Sequence, residues 1–221
     1  MNLVLLGPPG AGKGTQATRL SQAFRLEHLS SGDVLRAQRK SGTELGRRVA
    51  GYMDSGALVP DEIIVAVMLA RVPKSSQDGG VLLDGFPRTA AQARKLDESL
   101  AAAGGRVDVV LSLLAPDEVI VERITGRRIC PTCNGVYHTR TLPPRTAGVC
   151  DQDGTALIHR TDDTEAVVQQ RLNAYHQQTG PLEAYYRGRG LLLEVDGTQD
   201  VDTVFQRSWE VIRRRLGEAG S

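Results

Sequence analysis

Short apolar runs alternate with longer stretches of helical spacing along most of the 221-residue chain. Apolar runs at 2–6, 80–84, 107–113 and 191–195, with a shorter one at 27–29, are typical of strands that a sheet buries on both faces. Between them, polar and apolar positions recur at the helical period, which predicts helices at about 13–24, 31–40, 43–54, 61–71, 89–102, 117–126 and 200–216. A long helical stretch, 162–187, is predicted to break at Gly180-Pro181. Strands that alternate with helices predict an α/β fold with a parallel sheet and helices on both of its faces.

Residues 127–160 interrupt this alternation. Prolines, glycines and short strand-like pieces such as Val136-Tyr137-His138 predict a small β-rich insertion. It carries Cys130-Pro131-Thr132-Cys133 and Cys150-Asp151-Gln152-Asp153, two pairs with the spacing of a structural Zn²⁺ site. A fragment this small has little core of its own and gains stability from a metal held by Cys130, Cys133, Cys150 and Asp153. Two alternatives stay open: three free thiols, or a zinc ribbon that binds nucleic acid through nearby arginines.

Composition narrows the class of protein. A chain with 40% hydrophobic and 24% charged residues is an ordinary globular protein of one or two domains. The net charge of +1 implies no polyanionic partner, and no apolar run approaches the roughly 20 residues of a membrane helix. The first strand runs straight into a glycine-rich loop without a basic leader, and the three clustered cysteines argue against a secreted disulfide framework. A cytoplasmic enzyme is the expectation.

The segment Gly7-Pro8-Pro9-Gly10-Ala11-Gly12-Lys13-Gly14-Thr15, between the first strand and the first helix, predicts a nucleotide triphosphate site. Loops of this kind turn successive backbone N–H groups inward, and the following helix adds the positive end of its dipole. Lys13 can then reach the outer phosphates of ATP. Gly14 stands where a Mg²⁺-binding hydroxyl usually comes, and Thr15 follows it. The alternative is a structural Gly/Pro turn. The predicted ATP contacts of the loop are Gly10, Ala11, Gly12, Lys13, Gly14 and Thr15.

Several longer blocks resemble the adenylate kinases, in the long-lid form whose lid binds zinc. Gly-Lys-Gly-Thr at 12–15 is that family's own variant of the phosphate loop, and Asp84-Gly85-Phe86-Pro87-Arg88-Thr89 is the most specific block. The resemblance covers nearly the whole chain and includes the blocks at 31–36, 56–61, 126–128, 160–163, 171–172 and 195–197.

The resemblance implies the reaction ATP + AMP ⇌ 2 ADP with Mg²⁺, catalysed by a monomer. It implies a three-layer P-loop fold with a parallel sheet, a helical AMP-binding insertion and a small β-rich zinc lid. The corresponding ranges are a core at 1–29, 61–126 and 161–221, an AMP-binding domain at 30–60 and a lid at 127–160. The nearest rival is a kinase with another acceptor, such as UMP or CMP. A P-loop zinc ribbon that binds nucleic acid is disfavoured because aromatic residues make up only 4% of the chain.

The resemblance also implies catalytic roles. Phosphoryl transfer needs in-line positioning and positive charge around the moving group, and the planar guanidinium of Arg holds phosphate oxygens at fixed angles. Lys13, Arg123 and Arg127 are expected at the ATP phosphates, and Arg36 and Arg88 at the AMP phosphate. Arg160 and Arg171 are expected to close over the transferring group, and Asp84 to order the water shell of Mg²⁺.

The nucleoside contacts come from the same resemblance. Gln92 is expected to hydrogen-bond the adenine of AMP, and Tyr137 either contacts the ATP adenosine or packs within the lid. Asp162 and Asp163 are expected at a hinge or in lid closure, with helix-start carboxylates as the alternative. Pro87 is expected to follow a cis bond. Ser31 stands where Thr is more usual, and Asp153 stands where many zinc lids have a fourth Cys. The remaining AMP contacts are Ser31, Ala57, Leu58, Val59 and Gly85, and the remaining ATP contacts are Val136 and Gln199.

Overall fold

The computed structural model describes residues 1–72 and 79–217. Five parallel strands form the central sheet in the order β2-β3-β1-β4-β7. The strands in chain order are β1 Asn2–Leu6, β2 Glu27–Ser30, β3 Val81–Asp84, β4 Val109–Leu114, β5 Arg127–Ile129, β6 Val136–His138 and β7 Leu192–Asp196. The parallel sheet of the sequence prediction is confirmed, although β4 begins two residues later than predicted.

Side chains from the central strand enter two separate apolar clusters. Leu3 and Leu5 pack with Leu20, Leu111 and Ile212 on one face, while Val4 and Leu6 join the cluster on the other. Because successive strand residues point to opposite faces, this alternation confirms that helices cover both faces of the sheet. All five residues of β1 are buried, and the two clusters therefore fix the strand that leads into the phosphate loop.

The helices match the predicted succession. Their bounds are α1 Lys13–Phe24, α2 Ser31–Lys40, α3 Glu44–Ser55, α4 Asp61–Leu69, α5 Ala90–Ala102, α6 Asp117–Thr125, α7 Glu165–Ala174, α8 Gly180–Gly188 and α9 Val201–Arg215. Within the described ranges, every helix is too short or too polar to cross a membrane. The predicted core ranges 61–126 and 161–221 include 73–78 and 218–221, which lie outside the described residues.

The long helical stretch after the insertion differs from its prediction in two ways. Helix α7 begins at Glu165 rather than at 162, because Asp162 and Asp163 are engaged with arginine side chains before the helix starts. The predicted break at Gly180-Pro181 is wrong, since a π-helical segment, Tyr175–Thr179, connects α7 directly to α8. Proline is tolerated in the first turn of a helix, and the wider π turn before it accommodates the missing N–H donor.

The β-rich insertion at 127–160 forms a unit with its own small core. Strands β5 and β6 pair antiparallel, and isolated bridges join Ile129 to Ile158 and Val149 to Ala156. Cys130, Tyr137 and Cys150 are its buried centre, with Leu157 packed against them. These short strands and bridges give the insertion a core separate from the two clusters of the central sheet.

Candidate active site

The phosphate loop, Gly7–Thr15, leaves the carboxyl end of β1 and enters α1. Two glycines in it are sterically required. Gly7 has φ +130°, and a Cβ there would lie 2.5 Å from the carbonyl oxygen of Leu113. Gly10 has φ +84°, and its Cβ would lie 2.7 Å from a side-chain carbon of Ile124. The loop therefore packs its backbone tightly against the neighbouring strand and helix, as a backbone cradle for phosphate requires.

Lys13 is the first residue of α1, and its ammonium group folds back over the loop. Its Nζ donates hydrogen bonds of 2.8 Å to the carbonyl oxygens of Gly7 and Pro8. Burial lowers the pKa of Lys13 to about 8; the carboxylate of Asp84 opposes this shift, and the positive charges of neighbouring arginines add to it. The arginines concerned are Arg88, Arg171 and Arg127.

These cations, together with Arg160, form what we call the cationic centre. Burial also lowers the pKa of Arg88 to about 10, and the charge of Arg171 contributes. The pKa of Arg160 falls to about 10 because the residue is buried and lies near Arg36 and Arg127, and burial lowers the pKa of Arg171 as well. Buried cations that repel one another are stabilised by a bound polyanion, so the centre is complementary to nucleotide phosphates.

Two aspartates just before α7 partly neutralise this centre. The guanidinium of Arg127 donates to both oxygens of Asp163, at 2.8 and 2.5 Å, and Asp163 is fully buried. Arg171 lies 3.4 Å from Asp162 and 3.9 Å from Asp163. The Arg127–Asp163 pair joins the first residue of β5 to the segment just before α7, so it connects the two sides of the insertion.

Arg123, on α6, has a different setting from the cationic centre. Its guanidinium donates to the carbonyl oxygens of Gly197 and Thr198, at 2.7 and 2.9 Å. Gln199 follows in the same loop, and its amide donates 2.9 Å to Asp196. The structure thus places Arg123 beside Gln199 at the end of β7.

A pocket opens beside the cationic centre, and Arg88 and Arg171 of that centre form part of its lining. It brings together every AMP contact predicted from the sequence except Arg160: Ser31, Arg36, Ala57, Leu58, Val59, Gly85, Arg88, Gln92 and Arg171. The hydroxyl of Ser31 donates 2.7 Å to the carbonyl oxygen of Gly85, which also accepts 2.8 Å from Arg88. The Phe86–Pro87 bond is cis, as expected. Apolar walls from Leu35, Met53 and Ile64 were missed by the sequence reasoning, and their helical spacing alone could have marked them only as buried.

Gln92 reaches this pocket from the first turn of α5 and is 2% exposed. Its Oε1 accepts 2.7 Å from the backbone N–H of Arg88, and its Nε2 donates 2.6 Å to Asp61. Asp61 also accepts 2.9 Å from the hydroxyl of Thr89. Asp61 and Thr89 are functional candidates that the sequence reasoning missed.

Of the two predicted ATP contacts on β6 of the insertion, Tyr137 is buried and Val136 is exposed. Tyr137 is buried in the insertion, where its hydroxyl accepts 2.8 Å from the N–H of Asp151 and lies 3.4 Å from the sulfur of Cys150. Val136 is 44% exposed. The Tyr137 hydroxyl therefore has partners inside the insertion, which fits the packing alternative.

The four predicted metal ligands converge. Their ligand atoms all lie within 4.8 Å of one another. The sulfurs of Cys133 and Cys150 are 3.6 Å apart, and the sulfur of Cys130 lies 3.3 and 3.4 Å from the oxygens of Asp153. A tetrahedron with Zn–S bonds of about 2.3 Å places its sulfurs about 3.8 Å apart, so the cluster fits a zinc ion.

The tendency to lose a proton differs from one member of the cluster to the next. Hydrogen bonds from Thr155 hold the pKa of Asp153 well below its usual range, and a hydrogen bond from Tyr137 is the main cause that lowers the pKa of Cys150. The N–H of Gly135 lowers the pKa of Cys133, but burial and its thiol and carboxylate neighbours outweigh this and raise it to about 12. A divalent cation favours the thiolate form that metal binding requires.

Comparison with known proteins agrees with this geometry. A family model described as adenylate kinase matches residues 5–191. The chain is 48% identical over 214 residues to an adenylate kinase of Clostridium botulinum, covering 97% of this chain and 99% of the relative. It is 49% identical over 204 residues to an adenylate kinase of Moorella thermoacetica, covering 92% and 94% of the two chains. It is also 47% identical over 218 residues to an adenylate kinase of Clostridium acetobutylicum, covering 99% and 100%.

Proposed function

The chain belongs to the adenylate kinase family and is a phosphotransferase that interconverts ATP + AMP and 2 ADP with Mg²⁺, and we propose which of its residues perform each part of that reaction. The observation that carries the assignment is the position of the cationic centre. It extends from Lys13 of the phosphate loop to Arg88 and Arg171, which line the pocket that collects the predicted AMP contacts.

In our proposal the cationic centre stabilises the transferring phosphoryl group. Lys13 and Arg127 hold the ATP phosphates with the loop residues Gly10 to Thr15, and Arg123 lies beside them. Arg160 and Arg171 approach the moving group. In a site that excludes water, fixed positive charge stabilises the negative charge that spreads over the transferring group. Mg²⁺ supplies further charge stabilisation when bound with ATP, and Asp84, at the end of β3, is suited to order its water shell.

The pocket beside the centre is the proposed AMP site. Arg36 and Arg88 bind the AMP phosphate, and Gln92 hydrogen-bonds the base. Ser31, Gly85 and the backbone around Ala57, Leu58 and Val59 complete the site. The lining by Leu35, Met53 and Ile64 supports this assignment, because a flat aromatic base packs well on apolar walls.

The β-rich insertion is proposed to be a lid over the ATP side. Val136, Tyr137 and Gln199 are the proposed adenosine contacts. The Arg127–Asp163 pair at the root of the insertion supports a hinge there, because a lid must pivot where it leaves the core. We further propose the division into a core at 1–29, 61–126 and 161–221, an AMP-binding domain at 30–60 and the lid at 127–160.

The cluster in the insertion is proposed to bind one structural Zn²⁺ through Cys130, Cys133, Cys150 and Asp153. Four protein ligands close the coordination sphere, whereas a catalytic zinc needs an open position for water. Activated water would hydrolyse ATP rather than transfer its phosphoryl group to AMP. A monomer that works in the cytoplasm without nucleic acid or a membrane is the corresponding proposal for the whole protein.

The assay that tests the acceptor is ADP formation from ATP with AMP, CMP, UMP or GMP. We expect AMP to be preferred strongly, because a site that hydrogen-bonds one base leaves its own polar atoms unpaired with the others. Comparable kcat/KM values for AMP and for UMP or CMP would contradict the assignment of Gln92.

A further inference from the structure

The side-chain amide of Gln92 is held at both ends by groups of fixed polarity. The backbone N–H of Arg88 can only donate, and it donates 2.7 Å to Oε1. An ionised carboxylate can only accept, and Asp61 accepts 2.6 Å from Nε2. Rotating the amide by half a turn would place donor against donor and acceptor against acceptor. The two contacts therefore allow one orientation of the amide.

Asp61 is itself held in place. Its second oxygen accepts 2.9 Å from the hydroxyl of Thr89, and that hydroxyl accepts 3.2 Å from the backbone N–H of Gln92. Asp61 opens α4, while Thr89 caps α5 and Gln92 lies in its first turn. These three residues close a ring of hydrogen bonds between two helix starts, so Asp61 cannot swing away without breaking two bonds.

The orientation matters because half of the amide remains for a ligand. A primary amide has two N–H donors and its oxygen has two lone pairs; the bond to Asp61 uses one donor, and the bond from the N–H of Arg88 uses one lone pair. Gln92 lines the pocket, so the remaining donor and acceptor serve the base. Adenine offers an amino donor beside a ring-nitrogen acceptor, whereas hypoxanthine has the same shape with an oxygen acceptor beside a ring N–H donor. A locked amide matches the first pattern and opposes the second.

We propose that Asp61 is a positioning residue that sets the base specificity of the acceptor site, by locking the Gln92 amide in the orientation that accepts a 6-aminopurine monophosphate and rejects a 6-oxopurine one. The proposal rests on the proposed function, in which Gln92 contacts the base. It adds that selectivity depends on a carboxylate that lines no part of the pocket itself.

A purely structural role for Asp61 makes a different prediction. A carboxylate in the first turn of a helix is favoured by the helix dipole, and Glu62 shares that position with Asp61. If Asp61 only stabilised α4, its loss would impair all acceptors alike. Glu62→Gln is therefore the matched control. This substitution removes a charge from the first turn of α4 at an exposed position, and it leaves the contacts of Gln92 in place.

The experiment measures kcat/KM with AMP and with IMP for the wild type, Asp61→Leu, Asp61→Asn, Glu62→Gln, Gln92→Ala and the double variant Asp61→Leu/Gln92→Ala. We expect the wild type to prefer AMP by a factor of about 100 or more. Asp61→Leu should lower this ratio at least tenfold, mainly through KM for AMP, with KM for ATP unchanged. Asp61→Asn should retain most of the ratio because its amide oxygen can still accept from Gln92. Glu62→Gln should leave it unchanged.

The double variant separates the inference from the proposed function. In the Gln92→Ala background, Asp61→Leu should not change the AMP/IMP ratio further, because the amide it orients is gone. If Gln92→Ala lowers the ratio but Asp61→Leu does not, the inference is wrong and the role of Gln92 stands. If Gln92→Ala leaves the ratio at its wild-type value, both fail. If Asp61→Leu does not fold, Asp61→Ser tests the loss of the same hydrogen bond, because the serine hydroxyl is too short to reach Gln92. An unchanged AMP/IMP ratio in Asp61→Ser would overturn the inference.

Discussion

The cationic centre and the cysteine cluster of the β-rich insertion are electrostatic opposites. The first gathers cations, and burial lowers the pKa of Lys13 and of Arg88 among them. The second gathers sulfur and carboxylate acceptors within 4.8 Å. They also differ in construction. The cationic centre draws Lys13 from the phosphate loop, Arg88 from the segment after β3 and Arg171 from α7, with Arg127 and Arg160 from the two ends of the insertion, whereas the cluster lies within one stretch, from Cys130 to Asp153.

Because of this difference, we expect substitutions at the two sites to affect different properties, reaction rate at one and stability at the other. The elements that carry Lys13, Arg88 and Arg171 pack on the sheet and its two apolar clusters, so removing one of these charges should cost reaction rate and leave the fold intact. The insertion has a core of only a few side chains, so removing a metal ligand should cost stability and leave the chemistry intact.

The largest effect is expected for Lys13→Met. The variant keeps the buried aliphatic stem but removes the charge, so kcat/KM should fall at least about a thousandfold, or about 4 kcal/mol of transition-state stabilisation. The melting temperature should stay within a few degrees of the wild type. Lys95→Met, which removes an exposed lysine paired with Glu98, is the control and should retain full activity. A Lys13→Met protein with more than a tenth of the wild-type rate would contradict the assignment.

Nucleotide binding should also change the protonation of Lys13. Burial holds its pKa near 8, below the ordinary 10.5, and bound phosphates favour the charged ammonium and raise it. At pH 9, binding of a non-hydrolysable ATP analogue should therefore take up about 0.9 proton at this residue. Calorimetry in two buffers of different ionisation enthalpy measures the uptake. The proton uptake should approach zero at pH 6, where Lys13 is already protonated before binding. At pH 9 the uptake in Lys13→Met should be smaller by the contribution of this lysine. Equal uptake in the two proteins would show that another group takes up the proton.

Most of the fold could be predicted because its elements have local signals. The apolar runs and glycine-rich turns located all five strands of the parallel sheet within about two residues. The ligand cluster was predictable for the same reason, since two short-spaced pairs within one insertion leave little freedom in how they meet.

The residues that were missed have partners far away in the sequence. Nothing in the local pattern shows that Asp61 meets Gln92, because their contact depends on how α4 and α5 pack. Asp163 was expected at a hinge, but its pairing with Arg127 could not be predicted, because the whole insertion separates the two residues in the sequence. At Pro181 a strong local signal gave a wrong prediction, a break in the helix. The π turn before Pro181 and the packing of Leu182 and Tyr186 in the core keep the helix continuous.

On the other side of the contrast, Cys150→Ser should destabilise the protein without slowing catalysis. Cys150 is 2% exposed and touches both Cys133 and the Tyr137 hydroxyl, so its loss removes a metal ligand from the centre of the insertion. A loss of about 3 kcal/mol would lower the melting temperature by about 6–12 °C for a chain of this size. ADP formation at 15 °C should stay within about twofold. A strong chelator should lower the melting temperature of the wild type by a similar amount and should not lower that of the variant further. A large loss of rate with an unchanged melting temperature would mean that the cluster serves catalysis and not stability.

The smallest effect is expected for Asp153→Ala. Water can replace a carboxylate oxygen on zinc more readily than it can replace a thiolate, so the three cysteines should still hold the ion. The variant also removes the acceptor of a 2.9 Å hydrogen bond from the N–H of Thr155. A melting temperature about 2–4 °C lower is the expected result, with close to one zinc per chain by elemental analysis and weaker retention against a chromophoric chelator. Asp151→Ala is the control, because Asp151 lies in the same turn but accepts from the N–H of Arg145 rather than joining the cluster. If Asp153→Ala loses its zinc as completely as Cys150→Ser, the carboxylate is as necessary as the thiolates, and the insertion depends on all four ligands equally.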